Sequence, residues 1–166
     1  MKKRWICLFV ENEIGVLAKI SGLFSGKSYN LDSLTVGTTE DKSISRMTIS
    51  LTSDDKTFEQ IKKQLNRSVE VIKVVDFTDI AIHRKELIFV KVDSCSDKDI
   101  DEIFRISQIF NISVIDYTTA AVLIESIQTE NHNNNLIALL EKCFPNRIEI
   151  VRSGSVAIEA LNITER

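Results

Sequence analysis

The order of apolar segments occurs twice in this chain, and this repetition constrains the fold more than any other feature of the sequence. Each half reads as a strand, a helix, two strands, a second helix and a last strand. The strands are predicted at 4–10, 31–36, 44–51, 69–77, 87–92, 112–117, 120–127 and 147–158, and two helices at 97–110 and 133–144. Apolar spacing predicts two further helices, one through Val16, Leu17, Ile20, Leu23 and Phe24, and one through Phe58, Ile61 and Leu65 after an N-cap at 53–55. A repeated β-α-β-β-α-β order predicts an α+β protein with two ferredoxin-like domains.

The boundary between the halves is predicted where the periodicity breaks and the charge density rises, at residues 79–85. The prediction is a first domain at 1–78, a linker at 79–85 and a second domain at 86–166. The length of 166 residues fits two domains of about 80 residues each.

The first strand is apolar on both faces. Trp5, Cys7 and Phe9 point to one side, and the residues between them point to the other. Two helices cover only one face of a four-stranded sheet, so the second face needs another copy of the chain or another domain. This pattern predicts a homo-oligomer.

Composition excludes several classes of function. Lys plus Arg number 21 against 24 for Asp plus Glu, so the net charge of −3 argues against a nucleic-acid or anionic-membrane binder. The third strand carries no aromatic side chain on which an RNA base could stack. The six-residue apolar run at 5–10 is too short for a signal peptide or a membrane span, which predicts a cytoplasmic protein.

The inventory of reactive groups does not favour an enzyme. The sequence has no nucleophile elbow, phosphate-binding loop or dinucleotide-binding motif. Three widely spaced cysteines and two histidines make a disulfide framework or a zinc site improbable. His83 and His132 are predicted on the surface, the latter in an Asn-rich loop. The acids at 99, 101 and 102 are typical of the solvated first turns of a helix. No catalytic residue, metal ligand or cofactor is predicted on this chain.

The turn 12–15, just before the first helix, is the strongest candidate site. A helix N-terminus offers free N–H groups and a positive dipole end to a carboxylate. Gly15 lets a ligand approach the backbone, and the amides of Asn12 and Asn30 can bind the carboxylate or ammonium of an amino acid. An ordinary capped turn is the alternative, and spacing alone favours it.

Five stretches resemble the regulatory (small) subunit family of acetolactate synthase. They are residues 10–24, 29–36, 45–49, 86–92 and 152–157, and together the resemblance extends over nearly the whole chain. Residues 26–29 depart from the family pattern, because Ser28 stands where the family has Gly, and residues 128–135 replace an expected Gly.

The resemblance implies an N-terminal ACT domain that binds an amino acid, usually valine, between two copies of the chain. It implies a non-catalytic subunit that activates a large catalytic subunit carrying thiamine diphosphate, Mg²⁺ and FAD, and makes it sensitive to feedback inhibition. The implied effector positions are Asn12, Gly15, Val16, Leu17, Asn30 and Leu31. A free-standing amino-acid-sensing ACT protein that controls another enzyme or a transcription factor is the alternative.

Overall fold

The computed structural model describes residues 1–26 and 29–161 and contains the repeated order of elements. The first six elements are β1 (Lys2–Glu11), α1 (Val16–Ser25), β2 (Ser33–Thr38), β3 (Ile44–Ser53), α2 (Asp55–Leu65) and β4 (Val71–Asp76). The next six are β5 (Ile82–Asp93), α3 (Asp97–Phe110), β6 (Ser113–Tyr117), β7 (Ala121–Gln128), α4 (Glu130–Cys143) and β8 (Ile148–Glu159). The predicted class, two ferredoxin-like β-α-β-β-α-β arrangements, is confirmed.

Each arrangement forms a four-stranded sheet in which the first and third strands are central. The strand orders are β2-β3-β1-β4 and β6-β7-β5-β8. In the first sheet β1 pairs antiparallel with β3 along its whole length, from Lys2 opposite Ser53 to Glu11 opposite Ile44. Strand β2 pairs with β3 on one side only and is therefore an edge strand.

The first core lies between this sheet and its two helices. Helix α1 buries Val16, Ile20 and Phe24, which recur every four residues and so lie on one side of the helix. Helix α2 contributes a second apolar stripe that begins at Phe58. These side chains pack on the sheet residues Ile6, Leu8, Val10, Met47, Ile49 and Leu51.

The second core repeats this plan with different residues. It is formed by Ile88, Val90, Val92, Ile103, Ile106, Val122, Ile124, Leu136, Leu140 and Phe144, together with Cys95. Helix α4 begins at Glu130, three residues before the predicted start at 133, so His132, predicted in a loop, lies in its first turn. That part of the prediction is wrong, because Thr129 caps the helix by accepting a hydrogen bond from the N–H of His132.

The second face of β1 is covered by the chain itself. Trp5 and Cys7 are buried, with exposed fractions of 5% and 0%, in a cluster with Phe77 and Ala157. Phe9, Val75, Ile80 and Ile82 pack against this cluster. The oligomer inferred from this face is therefore unsupported, because residues that follow β4 and the last part of β8 supply the cover.

The chain divides into two compact units whose limits differ from the predicted ones. The first comprises Met1–His83 and the residues from Ser155 on, and the second is Arg84–Gly154. The predicted linker at 79–85 is partly strand, because β5 begins at Ile82. The last part of β8, predicted within the second domain, belongs to the first unit.

Among the helices in the described part of the chain, none is long and apolar enough to cross a membrane.

Candidate functional site

The turn after β1 is held to the start of β3 by Asn12. Its backbone N–H donates to the carbonyl of Ser43 (2.7 Å), and its side-chain Nδ2 donates to the carbonyl of Lys42 (2.9 Å). Its Oδ1 accepts from the hydroxyl of Ser45 (3.0 Å). Asn12 thus shapes the turn with both ends of its amide, a role the sequence did not indicate.

Gly15 is the N-cap of α1 and has a left-handed backbone, with φ +90°. An L side chain rarely adopts this conformation, which explains the glycine. A Cβ built at this position would meet no atom within 4 Å, so open space lies in front of the backbone. Gly15 therefore leaves room at the beginning of the helix.

The N–H groups in the first turn of α1 lack a side-chain cap. The N–H of Val16 reaches the carbonyl of Glu13 at 3.3 Å, and that of Lys19 reaches the carbonyl of Gly15 at 3.0 Å. Within residues 1–26 and 29–161, the N–H groups of Leu17 and Ala18 have no hydrogen-bond partner. Free N–H groups at the positive end of a helix dipole favour an anion such as a carboxylate.

The other three helices close their N-termini with their own side chains. Asp54 caps α2 through the N–H of Thr57, and Thr129 caps α4. Helix α3 has a full capping box, in which Ser96 and Asp99 bond each other's backbone N–H. Each of these first turns also carries an acid, whereas that of α1 carries none.

Asp99, in the first turn of α3, has a lowered pKa. Hydrogen bonds from the Ser96 N–H, from Arg147 and from the Ser96 hydroxyl lower its pKa to about 2. The N-terminus of α3 is therefore occupied by a fixed carboxylate that belongs to the chain. Asp99 thus serves the start of the helix, as acids in a first helical turn commonly do.

The predicted effector residues fall into two groups in the structure. Asn12, Gly15, Val16 and Leu17 surround the N-terminus of α1. Val16 is buried in the first core, whereas Leu17 is 46% exposed. The second group, Asn30 and Leu31, follows the C-terminal end of α1, where Asn30 is exposed and Leu31 packs against the core.

One charged pair links α1 to the loop before β4. Lys19 donates to the carboxylate of Glu70, and Ser68 donates to the same carboxylate at 2.8 Å. These contacts, Lys19 first, lower the pKa of Glu70 to about 2. The Lys19 ammonium near the candidate site is thus already neutralised, which leaves the backbone N–H groups as the principal anion donors.

The departure from the family pattern at residues 26–29 falls partly outside the described residues. Lys27 and Ser28 are not described, so the expected effect of Ser28 on the bend stays a prediction. Beyond that gap, the N–H of Tyr29 donates to the carbonyl of Phe24 at 3.0 Å.

Two protein-family models match the chain. Residues 6–73 match the "AHAS small subunit-like ACT domain", and residues 85–161 match "Small subunit of acetolactate synthase". The acetolactate synthase small subunit of Aquifex aeolicus is 42% identical over 158 residues, which cover 95% of this chain and 81% of that protein. The chain belongs to the acetolactate synthase small-subunit family.

Other members of the acetolactate synthase small-subunit family agree with this assignment. The isozyme 3 small subunit of Escherichia coli is 35% identical over 156 residues, which cover 94% of each chain. A crystal structure of the small subunit from Thermotoga maritima has a TM-score of 0.86 at 32% identity. That match covers 98% of this chain and all of the other. The resemblance inferred from the sequence, including the ACT domain, is confirmed.

A second buried polar cluster, which the sequence did not reveal, lies in the second unit. Glu86 is 4% exposed and accepts two hydrogen bonds from Arg152, from Nε at 2.9 Å and from Nη2 at 2.8 Å. Asn133, fully buried, donates to the same carboxylate at 3.0 Å and accepts from Ser126 at 2.8 Å. The sequence signal that could have revealed it is the position of Glu86, which alternates along β5 with the core residues Ile88 and Val90 and so lies on the same face.

No group of His, Cys, Asp and Glu residues in the described ranges has an arrangement that could hold a metal ion. Cys7 and Cys95 are buried and Cys143 is exposed, all as free thiols.

Proposed function

We propose that this chain is the regulatory subunit of an acetolactate synthase. It binds a large catalytic subunit that carries thiamine diphosphate, Mg²⁺ and FAD, raises that subunit's activity, and makes it sensitive to valine or a related branched-chain amino acid. The chain itself is non-catalytic. Family membership supports the partner, and the uncapped N-terminus of α1 is the observation that supports the effector.

The carboxylate of the amino acid binds the free N–H groups of Leu17 and Ala18. Gly15 admits it, because a Cβ in this position would stand in the open space before the helix. The exposed Leu17 offers an apolar contact to a branched side chain. Helices α2, α3 and α4 lack this capacity, since their own side chains occupy the equivalent positions.

Asn30 and Leu31 cannot join this site within one copy of the chain. Helix α1 separates them from Gly15, and its ten residues span about 15 Å. The register of β2 also separates the two groups. Thr38 pairs with Ser45, which bonds Asn12, whereas Ser33, which follows Leu31, pairs with Ser50 at the other end of β2. A site that uses both groups of residues needs a second copy.

The edge strand β2 provides a way to form this homodimer. Two copies that pair their β2 strands antiparallel about a twofold axis would place the Thr38 end of one beside the Ser33 end of the other. The turn at Asn12 in one protomer would then lie next to Asn30 of its partner. Val36, 46% exposed on β2, supports such an interface.

Gly15→Asp and Gly15→Ala test the effector site as a matched pair. Both side chains carry the cost of the left-handed backbone, about 1–2 kcal/mol, but only Asp adds a negative charge where the carboxylate binds. We expect holoenzyme with Gly15→Asp to lose valine inhibition, whereas Gly15→Ala keeps more of it, and both still stimulate the catalytic subunit. Equal inhibition curves for Gly15→Asp and the wild type would place the effector elsewhere.

Asn30→Ala should weaken valine binding less than Gly15→Asp does. It removes one or two hydrogen bonds worth about 0.5–1.5 kcal/mol each, which raises the dissociation constant by roughly tenfold. Calorimetric titration of the purified chain with valine, leucine and isoleucine measures this and ranks the three effectors. An unchanged dissociation constant would remove Asn30 from the site.

Val36→Lys tests the homodimer. A lysine in the middle of an exposed edge strand opposes pairing with a second edge, so we expect monomers in sedimentation velocity and weaker valine binding. Lys42→Ala, in the turn outside β2, is the control. Dimers of Val36→Lys as stable as those of the wild type would exclude β2 as the interface.

Reconstitution with the catalytic subunit of the same organism tests the function itself. We expect acetolactate formation from pyruvate to rise when the chain is added and to fall again with valine, and the isolated chain with all three cofactors to form none. The alternative, a free-standing sensor, predicts no effect on this synthase.

A further inference from the structure

Gly154 lies where β8 passes from the second compact unit to the first. The second unit ends at Gly154 and the first resumes at Ser155, yet β8 is continuous from Ile148 to Glu159. Gly154 has a φ of +78°, a left-handed conformation in the middle of a strand. This glycine is thus a local break in the backbone of a strand that both units share.

The residues just before Gly154 are held by the second unit. Arg152 makes its paired hydrogen bonds with the buried carboxylate of Glu86 and a third with Asn134 at 2.9 Å. The hydroxyl of Ser153 accepts from the N–H of Leu87 at 3.1 Å. Side chains of this strand segment are therefore fixed to β5 and α4.

The residues just after Gly154 are held by the first unit. The hydroxyl of Thr35, on β2, donates to the carbonyl of Ser155 at 3.2 Å. Nη2 of Arg46, on β3, donates to the carbonyl of Ala157 at 2.7 Å, and its guanidinium lies over the ring of Phe9 at 5.4 Å. The side chain of Ala157 packs in the cluster with Trp5 and Cys7.

We propose that the end of β8 transmits the effector state of the first unit to the second. Thr35 and Arg46 are the positioning residues that fix this strand to the first sheet, and Gly154 is the joint. Thr35 lies on β2, the strand that follows Asn30 and Leu31, so a shift of β2 on effector binding acts directly on the carbonyl of Ser155. The inference rests on the proposed function for the identity of the effector.

The experiment compares holoenzyme with wild-type chain, Thr35→Val, Arg46→Gln and the double variant. Thr35→Val keeps the volume of the side chain and removes only the donor, so it tests the contact even if Arg46→Gln folds poorly. Arg67→Gln, an exposed arginine after α2, is the control. Trp5 is the only tryptophan and lies in the cluster with Ala157, so its fluorescence reports whether the strand stays in place.

In the double variant we expect Trp5 emission to shift to longer wavelength and the amides of residues 155–160 to exchange hydrogen faster. Stimulation and valine affinity should persist, while the valine concentration for half-inhibition rises about tenfold or more, as expected for a lost coupling. Two outcomes of the double variant would overturn the proposal. One is unchanged valine inhibition although the end of β8 is released; the other is an end of β8 that stays in place although the Thr35 and Arg46 donors are both removed. Failure of the wild-type chain to bind valine would contradict the proposed function instead, and the Trp5 readout would still test the two positioning residues.

Discussion

Removing Arg152 should destabilise the second unit far more than neutralising Glu86. The side chain of Glu86 is 4% exposed, whereas that of Arg152 is 37% exposed. Without the arginine a carboxylate stays buried and loses two hydrogen bonds, whereas without the charge on Glu86 the guanidinium can still reach water. The cost of the two single changes is therefore unequal, and the direction follows from burial.

The magnitudes follow from the contacts. Loss of one partner of a buried ion pair costs about 3–5 kcal/mol, and Arg152→Met should lie near the lower end because Asn133 still donates to Glu86. Glu86→Gln keeps an acceptor for Asn133 and should cost about 1–2 kcal/mol. In the double variant no charge is buried, so it should be more stable than Arg152→Met alone.

The measurement is urea unfolding of the four proteins by circular dichroism, with hydrogen exchange of the amides at 88–92 to localise the effect. Glu125→Gln, on the neighbouring strand β7, controls for loss of a carboxylate from this sheet. Equal destabilisation by Arg152→Met and Glu86→Gln, or a double variant less stable than both, would refute the reasoning from burial.

Three further predictions concern charge, packing and thiol reactivity. Because the pKa of Asp99 is lowered to about 2 from 3.8, its contribution to stability is complete above about pH 4 and is lost as the pH falls through 2. Asp99→Asn should therefore flatten the acid unfolding curve between pH 4 and 2; an unchanged slope would count against the bonds from Ser96 and Arg147. Ile20→Ala, in the first core, should cost about 2–5 kcal/mol in urea unfolding, whereas Ile14→Ala, fully exposed, should cost almost nothing, and similar losses would contradict the assigned burial. A thiol reagent at neutral pH should modify Cys143 at once but Cys7 and Cys95 only on unfolding, because both are buried and burial raises the pKa of each thiol; rapid loss of all three thiols would be inconsistent with this.

Local signals in the sequence were sufficient to predict the bounds of a helix whose capping residues lie next to it in the chain. Helix α3 was predicted at 97–110 and is observed at Asp97–Phe110. Ser96 and Asp99 form the capping box that begins it, and Asn111 ends it with a left-handed backbone. These contacts join residues only a few positions apart, so they can be recognised in the sequence alone.

Long-range contacts account for the parts that the sequence did not reveal. Helix α4 was predicted from residue 133, with His132 in an Asn-rich loop before it, whereas the helix begins at Glu130. The sequence also did not indicate that Asn133 is buried, with its amide bonded to Glu86 and Ser126 on two strands. Periodicity within one segment contains no information about such partners.

The covering of β1 shows the same limit. Alternation correctly indicated that Trp5, Cys7 and Phe9 lie on one face and that this face needs a cover. It could not identify the cover, which includes Ala157, about 150 residues further along the chain. The proposed homodimer therefore rests on the exposed edge of β2 and on the separation of Asn30 from Gly15, and no longer on β1.

The candidate site was proposed from the sequence on local features, the helix start with Gly15 and a nearby amide, although spacing alone favoured an ordinary capped turn and the family resemblance changed that preference. A glycine at the N-cap with no acid in the first turn leaves α1 without the closure that the other helices have. A missing cap lowers helix stability by about 1 kcal/mol. On the proposed function the effector carboxylate supplies that cap, so valine should stabilise the first unit by RT ln(1 + c/Kd), where c is the concentration of free valine. On that proposal, the bound effector stabilises a helix start that is uncapped in the free chain.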